Sequence, residues 1–230
     1  MIAVLDLWNR VNQYASKYMS GQTIVDTFNG ALAEVQAEIY NDLSPFYQEN
    51  EKVRGLLNVW VKSVNATFAA GSYTSGDTQF DRVVSMAITD GNTPPIMLYE
   101  VNPITEGELV YANRIPQRKP DPTKKRVYYF MDGPLIIKTA PNTIALPFIM
   151  YYLSYPTLAK IAFTYTEVDD EYVMTYDDAN SDDLGWVIDA YNIILYKMLE
   201  KYGVETRDQW TAEYAKLGLA KPVLNTGGNQ

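Results

Sequence analysis

Residues 23–45, TIVDTFNGALAEVQAEIYNDLSP, decide how the rest of the chain is read. Phe28, Leu32, Val35, Ile39 and Leu43 recur at steps of three and four, so they share one face of a helix. Thr23 stands where an N-cap belongs, with Asp26 as its capping-box partner, and Ser44 and Pro45 break the stripe. Upstream, Val4, Trp8, Val11, Ala15 and Tyr18 form an earlier stripe that Gly21 ends. Downstream, Val53, Leu56, Leu57 and Trp60 form a third, for which Ser44 is the N-cap candidate and Pro45 the first helical residue. Short connections between three such helices predict a bundle or hairpin layer over residues 1–62.

From residue 63 to 173 the pattern changes. Pro and Gly become frequent, and short β-branched or aromatic runs appear at Arg82–Ala87, Met97–Val101, Arg126–Met131 and Leu135–Lys138. Asp90-Gly91 and Asp132-Gly133 are turn dipeptides. This spacing predicts antiparallel sheet, as a small barrel or sandwich. Pro116–Lys125, PQRKPDPTKK, reads as an exposed hairpin tip or long loop.

Helix returns over 174–220. Asp182 and Asp183 stand before the stripe Val187, Tyr191, Ile194, Leu195, Met198 and Tyr202, and Gly203 stops it. Thr206 and Gln209 repeat the capping-box spacing before Trp210, Tyr214 and Leu217; Gly218 and Pro222 close that segment. Residues 221–230 are a polar tail. The fold class expected is therefore α+β: a helical bundle made by both chain ends, with a β-rich insertion.

Composition narrows the function. The 230 residues include no Cys and no His, which removes disulfides, thiolate metal sites, Cys nucleophiles and His general bases. A net charge of −9 argues against a general nucleic-acid binder. Tyr is abundant, 19 against 7 Phe and 4 Trp, and Tyr joins large contact area to a polar tip, as interfaces favour. The most apolar stretch, Ile144–Leu153, contains Pro147 and is too short for a membrane span. The N-terminus has no basic region ahead of its apolar run, so no secretory signal is expected.

Two charged segments are the candidate sites. Residues 161–196 contain no Lys or Arg but hold Glu167, Asp169, Asp170, Glu171, Asp177, Asp178, Asp182, Asp183 and Asp189. These acids fit a solvated loop with helix caps, a divalent cation site without EF-hand spacing, or the negative wall of a DNA channel. Arg114, Arg118, Lys119, Lys124, Lys125 and Arg126 concentrate positive charge. No aromatic side chains alternate with them, so docking on an acidic neighbour is favoured over nucleic-acid contact, beside the plain reading of a soluble loop. The interface candidates are thus these six basic residues with Glu167, Asp169, Asp170, Asp177 and Asp178. Adjacent acids such as Asp177 and Asp178 do not make the facing pair a glycosidase needs, and phosphate-binding or G-x-S-x-G elements are absent. The chain is not expected to be an enzyme, and no catalytic residue, cofactor or metal is predicted.

The run VNQYASKYMSGQTIVDTFNGALAEVQAEIYNDL resembles the opening of neck or adaptor-type proteins of tailed phages of Bacteroidetes hosts, crAss-like phages included. The matching residues are Ala15, Gly21, Phe28, Asn29 and Gln36. The stretch YYLSYPTLAKIAFTY, followed by acids and DLGWVIDAYNIILYKMLEKYGVETRD, is similar to their C-terminal part through Tyr155, Pro156, Asp183, Leu184 and Gly203. Residues 8–43 and 150–210 carry the resemblance. The order of pieces is also similar to podovirus head-to-tail adaptors. The resemblance implies a structural virion protein, made in the bacterial cytoplasm, that forms a dodecameric homo-oligomeric ring between portal and tail. Implied partners are further copies, the portal, other neck and tail proteins, and genomic DNA passing through the channel without sequence-specific binding; no membrane is implied. The alternative expectation is a tail-associated receptor- or carbohydrate-binding protein.

Overall fold

The structure is a computed structural model that describes residues 2–18, 24–142, 145–168, 171–204 and 206–219. It is a mixed α and β protein. The chain opens with α1 (Val4–Tyr18), α2 (Val25–Leu43) and α3 (Glu51–Leu57). Strands β1 (Val61–Thr67), β2 (Ser72–Thr74), β3 (Phe80–Thr89), β4 (Met97–Glu100) and β5 (Asn102–Pro103) follow. Next come α4 (Glu106–Arg114), β6 (Tyr128–Met131), β7 (Ile136–Ala140), β8 (Pro147–Ser154), β9 (Phe163–Val168) and β10 (Glu171–Tyr176). Helices α5 (Tyr191–Lys201) and α6 (Arg207–Lys216) close the order. Two compact units result, one of Met1–Val59 with Pro156–Gln230 and one of Trp60–Tyr155.

In the first unit the α2 stripe is fully buried at Phe28, Leu32, Val35, Ile39 and Leu43. Burying such side chains stabilises by roughly 1.5–3 kcal/mol each. Helix α5 touches α1, α2 and α6 and buries Ile193, Ile194, Leu195, Met198 and Leu199. Val4, Trp8 and Val11 of the first stripe are buried; the side chains of Ala15, Tyr18, Trp210 and Tyr214 lie outside the described part, as do Gly21, Thr23 and residues 220–230. Gly203 and Gly218 end their helices with φ of 74° and 75°, the left-handed conformation glycine adopts without strain.

Several caps differ from expectation. Ile24 occupies the N-cap position of α2 and makes no side-chain cap. Helix α3 is capped by Asn50, whose Oδ1 accepts from Lys52 N and Val53 N, while Ser44 and Pro45 sit in a separate 3-10 turn. Asp183 caps α1 rather than the helix that follows it: Val4 N donates to Asp183 Oδ1 at 3.0 Å. The Thr206 hydroxyl donates to Tyr196 O at 2.7 Å, tying the start of α6 to α5.

The second unit holds two four-stranded sheets, ordered β1-β8-β3-β4 and β2-β7-β6-β5. Strand β8 lies between β1 and β3, both antiparallel to it, and its near-continuous apolar run follows from burial on both faces. Phe148 and Met150 of β8 join Met86, Ile88, Val127, Tyr129 and Ile137 in one hydrophobic cluster fed by both sheets. Phe68 stacks on Phe148 with centroids 4.2 Å apart.

The barrel expectation is corrected. Among the described residues neither sheet closes, and β5 pairs with β6 in parallel. Parallel neighbours need a crossover, and α4 lies within that connection. The sequence reading had no helix there, because Val110 and Tyr111 are exposed and make no apolar stripe. The available signal was Thr105-x-x-Glu108, a complete capping box: Glu108 N donates to Thr105 Oγ1, and Thr105 N to Glu108 Oε2. Strand β9 and the start of β10, within the 63–173 stretch expected to be β-rich, lie in the first unit.

Candidate functional site

The basic segment is built around Asp121, in the second unit. Thr123 N and Thr123 Oγ1 donate to Asp121 Oδ1 at 3.0 and 2.6 Å. The Thr123 hydroxyl is the main cause holding the Asp121 carboxyl below its ordinary range. Asp121 and Arg126 exchange both backbone hydrogen bonds, at 2.8 and 3.0 Å. Arg126 Nη1 donates to Pro116 O at 3.0 Å, and Tyr128 OH donates to Arg118 O at 3.1 Å. Despite its three prolines, this segment is paired through its own backbone and side chains.

That geometry divides the six basic candidates. Arg126 turns inward, its side chain 21% exposed, and commits its guanidinium to its own loop. Lys124 Nζ lies 3.8 Å from Asp121 Oδ2. Arg114, at the end of α4, and Arg118, Lys119 and Lys125 are exposed and form no salt bridge among the described residues. Lys125 adopts a φ of 56°, unusual for a residue with a side chain.

Lys119 borders a cleft of about 500 Å³ within this unit. Leu109 and Asn113 of α4, Pro120, Phe130 and Lys138 line it with Lys119. The lining thus combines apolar side chains with two lysines, of which Lys138 is paired to Asp132. The cleft wall depends on Gly71, whose φ is 72° and where a Cβ would stand 2.4 Å from the Asn142 Cα. Thr139 N donates to Gly71 O at 2.8 Å and holds that turn against β7.

The acidic candidates, in the first unit, do not converge. Glu167 is exposed on β9, and Glu171 opens β10. Asp169 and Asp170 lie outside the described residues. Asp177 accepts from Asn180 N at 3.2 Å and Asn180 Nδ2 at 2.8 Å, closing the turn that contains Asp178. Asp182 pairs with Lys160 at 3.6 Å, and Asp183 serves α1. Among the described residues no three carboxylates gather where one ion could be held.

Strands β9 and β10 form a separate two-stranded ribbon. Phe163 and Tyr176 face each other at its base, and Phe163 lies 5.4 Å from Trp8 of α1. Beyond the base, apolar side chains stand in solvent on both faces. Tyr165 and Met174, direct cross-strand partners, are 61% and 44% exposed. Val168 and Val173 on the opposite face are 52% and 46% exposed. The sequence reading missed this ribbon as an interaction element. Its signal was the pair of β-branched and aromatic runs, FTYTEV and EYVMTY, on either side of Asp169-Asp170.

Among the described residues no helix is long and apolar enough to cross a membrane. Comparison with protein-family models and with curated proteins gives no match for this sequence.

Proposed function

We propose that this chain is a structural ring subunit in the neck of a tailed phage, joining portal to tail and continuing the DNA channel. In this reading the helices of the two ends form the bundle of an α+β subunit, and the sheet-bearing unit is its insertion. The observation that carries the reading is where the resemblance falls. Residues 8–43 and most of 150–210 contain most of α1, all of α2, the ribbon and α5, which fall in a single compact unit. Exposed apolar side chains on the ribbon, on β4 at Met97 and Leu98, and on α4 at Val110 and Tyr111 support a protein that works by contact with other proteins.

Cryo-electron microscopy of virions tests it. The expected result is density for this chain in a ring between portal and tail. Its absence from virions, or its location in fibre tips, would overturn the reading; the second outcome would favour receptor binding.

A further inference from the structure

We propose that the β9–β10 ribbon is an arm whose distal end, at Val168 and Glu171, docks in the Lys119–Lys138 cleft of a second copy of this chain. The inference deepens the ring reading and rests on it. An isolated two-stranded ribbon is marginal in water, and a third layer or strand is what ordinarily stabilises one. Here only the base is packed, through Phe163, Tyr176 and Trp8. The distal part exposes Tyr165 and Met174 on one face and Val168 and Val173 on the other. Side chains of that size on both faces of one ribbon call for a protein cover.

Charge selects the occupant. Residues 161–196 carry no Lys or Arg, and Glu167 and Glu171 flank the distal end of the ribbon. Two such ribbons repel each other, so a symmetric ribbon-on-ribbon contact is disfavoured. The complementary surface is on the same chain: Arg114, Arg118, Lys119 and Lys125 are exposed and free of salt bridges among the described residues. Of these, Lys119 borders the cleft of about 500 Å³, whose lining joins apolar Leu109 and Phe130 to Lys119 and Lys138. Its volume of about 500 Å³ is that of a few side chains, which suits Val168 with its cross-strand partner Glu171. The two surfaces differ, so the contact is heterologous. Repeated around an axis, such contacts close a ring.

Because the chain has no cysteine, disulfide trapping reports the contact directly. Full-length Val168→Cys and Asn113→Cys proteins are mixed and oxidised, with Ser63→Cys, also exposed, replacing Asn113→Cys in the control mixture. The expected result is a mixed disulfide between Val168→Cys and Asn113→Cys chains, several-fold above the control pair. Adding Glu171→Lys to the first protein or Lys119→Glu to the second should cut the yield several-fold, and both together should restore it. Yield at the control level, or a dominant disulfide between two Val168→Cys chains, would overturn the proposal. So would exclusive ring closure within a single chain carrying both cysteines. Rings seen in virions without this cross-link remove the docking and leave the ring function; the cross-link without a virion ring does the reverse.

Discussion

Asn29 and Ile161 hold each other by two hydrogen bonds across 132 residues: Asn29 Nδ2 donates to Ile161 O at 2.9 Å, and Ile161 N donates to Asn29 Oδ1 at 2.8 Å. The side-chain amide acts as a peptide group, pairing a helix residue with an extended segment as a strand would. It ties α2 to the stretch that leads into β9.

Replacing Asn29 with Ala removes both bonds and leaves the N–H and C=O of Ile161 without partners. The expected destabilisation is about 2 kcal/mol, since unpartnered polar groups cost more than the bonds contribute. Asn29→Asp keeps the acceptor and loses the donor, and should fall between. Urea denaturation followed by tryptophan fluorescence measures both, and an unchanged midpoint for Asn29→Ala would refute the linkage.

Gln36 is fully buried in α2, and among the described residues neither its Oε1 nor its Nε2 has a hydrogen-bond partner. Gln36→Met keeps the shape and removes two desolvated polar atoms. A gain of about 1–3 kcal/mol is expected, read as a higher melting temperature. A lower melting temperature would mean that the amide is satisfied in the folded protein.

Helices α2 and α5 are joined by an acid–base seam. Lys197 reaches Asp42 at 3.1 Å and Glu38 at 3.6 Å; Lys201 reaches Glu38 at 2.8 Å and Glu34 at 3.0 Å. Burial pushes the Glu38 carboxyl up, but the Lys201 hydrogen bond and the Lys197 charge outweigh it and hold the carboxyl below its ordinary value. Hydrogen bonds to Glu38 and Glu34 raise the Lys201 ammonium. The Glu38 contribution is present above its unfolded value and lost as pH falls through the lowered one. The Lys201 contribution is present below its unfolded value and lost as pH rises through the raised one. Glu38→Gln should therefore lose less melting temperature than wild type between about pH 5 and 3. Identical acid slopes would show that the seam adds no pH-dependent stability.

Tyr152 on β8 donates to Asp77 Oδ2 at 3.0 Å, and Lys62 Nζ reaches the same oxygen at 2.9 Å. Burial first, and then the hydrogen bond and charge of Asp77, push the Tyr152 phenol up to about 12. The Lys62 hydrogen bond lowers the Asp77 carboxyl. Ultraviolet difference titration against Tyr152→Phe should show this phenol ionising near that value and earlier in Asp77→Asn. An unmoved titration in Asp77→Asn would leave burial as the sole cause.

Local signals in the sequence determined the local structure. The stripe from Phe28 to Leu43, the β-branched and aromatic runs of β3 and β6, the Asp-Gly turns and the stop at Gly203 each depend on neighbours within a few positions. Steric preference and periodicity act at that range. The Thr105–Glu108 box was equally local, and was overlooked because α4 buries almost no apolar side chain. Tertiary structure alone decided the rest. Asp183 looked like a cap for the helix after it, yet it serves Val4, 179 residues away, because Ile2 and Leu184 pair and bring it there. Asn50 does two things at once: its Oδ1 caps α3 while its Nδ2 donates to Leu217 O at the end of α6. Lys119 and Lys138 come to line one cleft only through the parallel pairing of β5 with β6 and the crossover helix α4. Spacing along the chain specifies which face a side chain occupies, but the partner across that face is set by burial and register between distant segments.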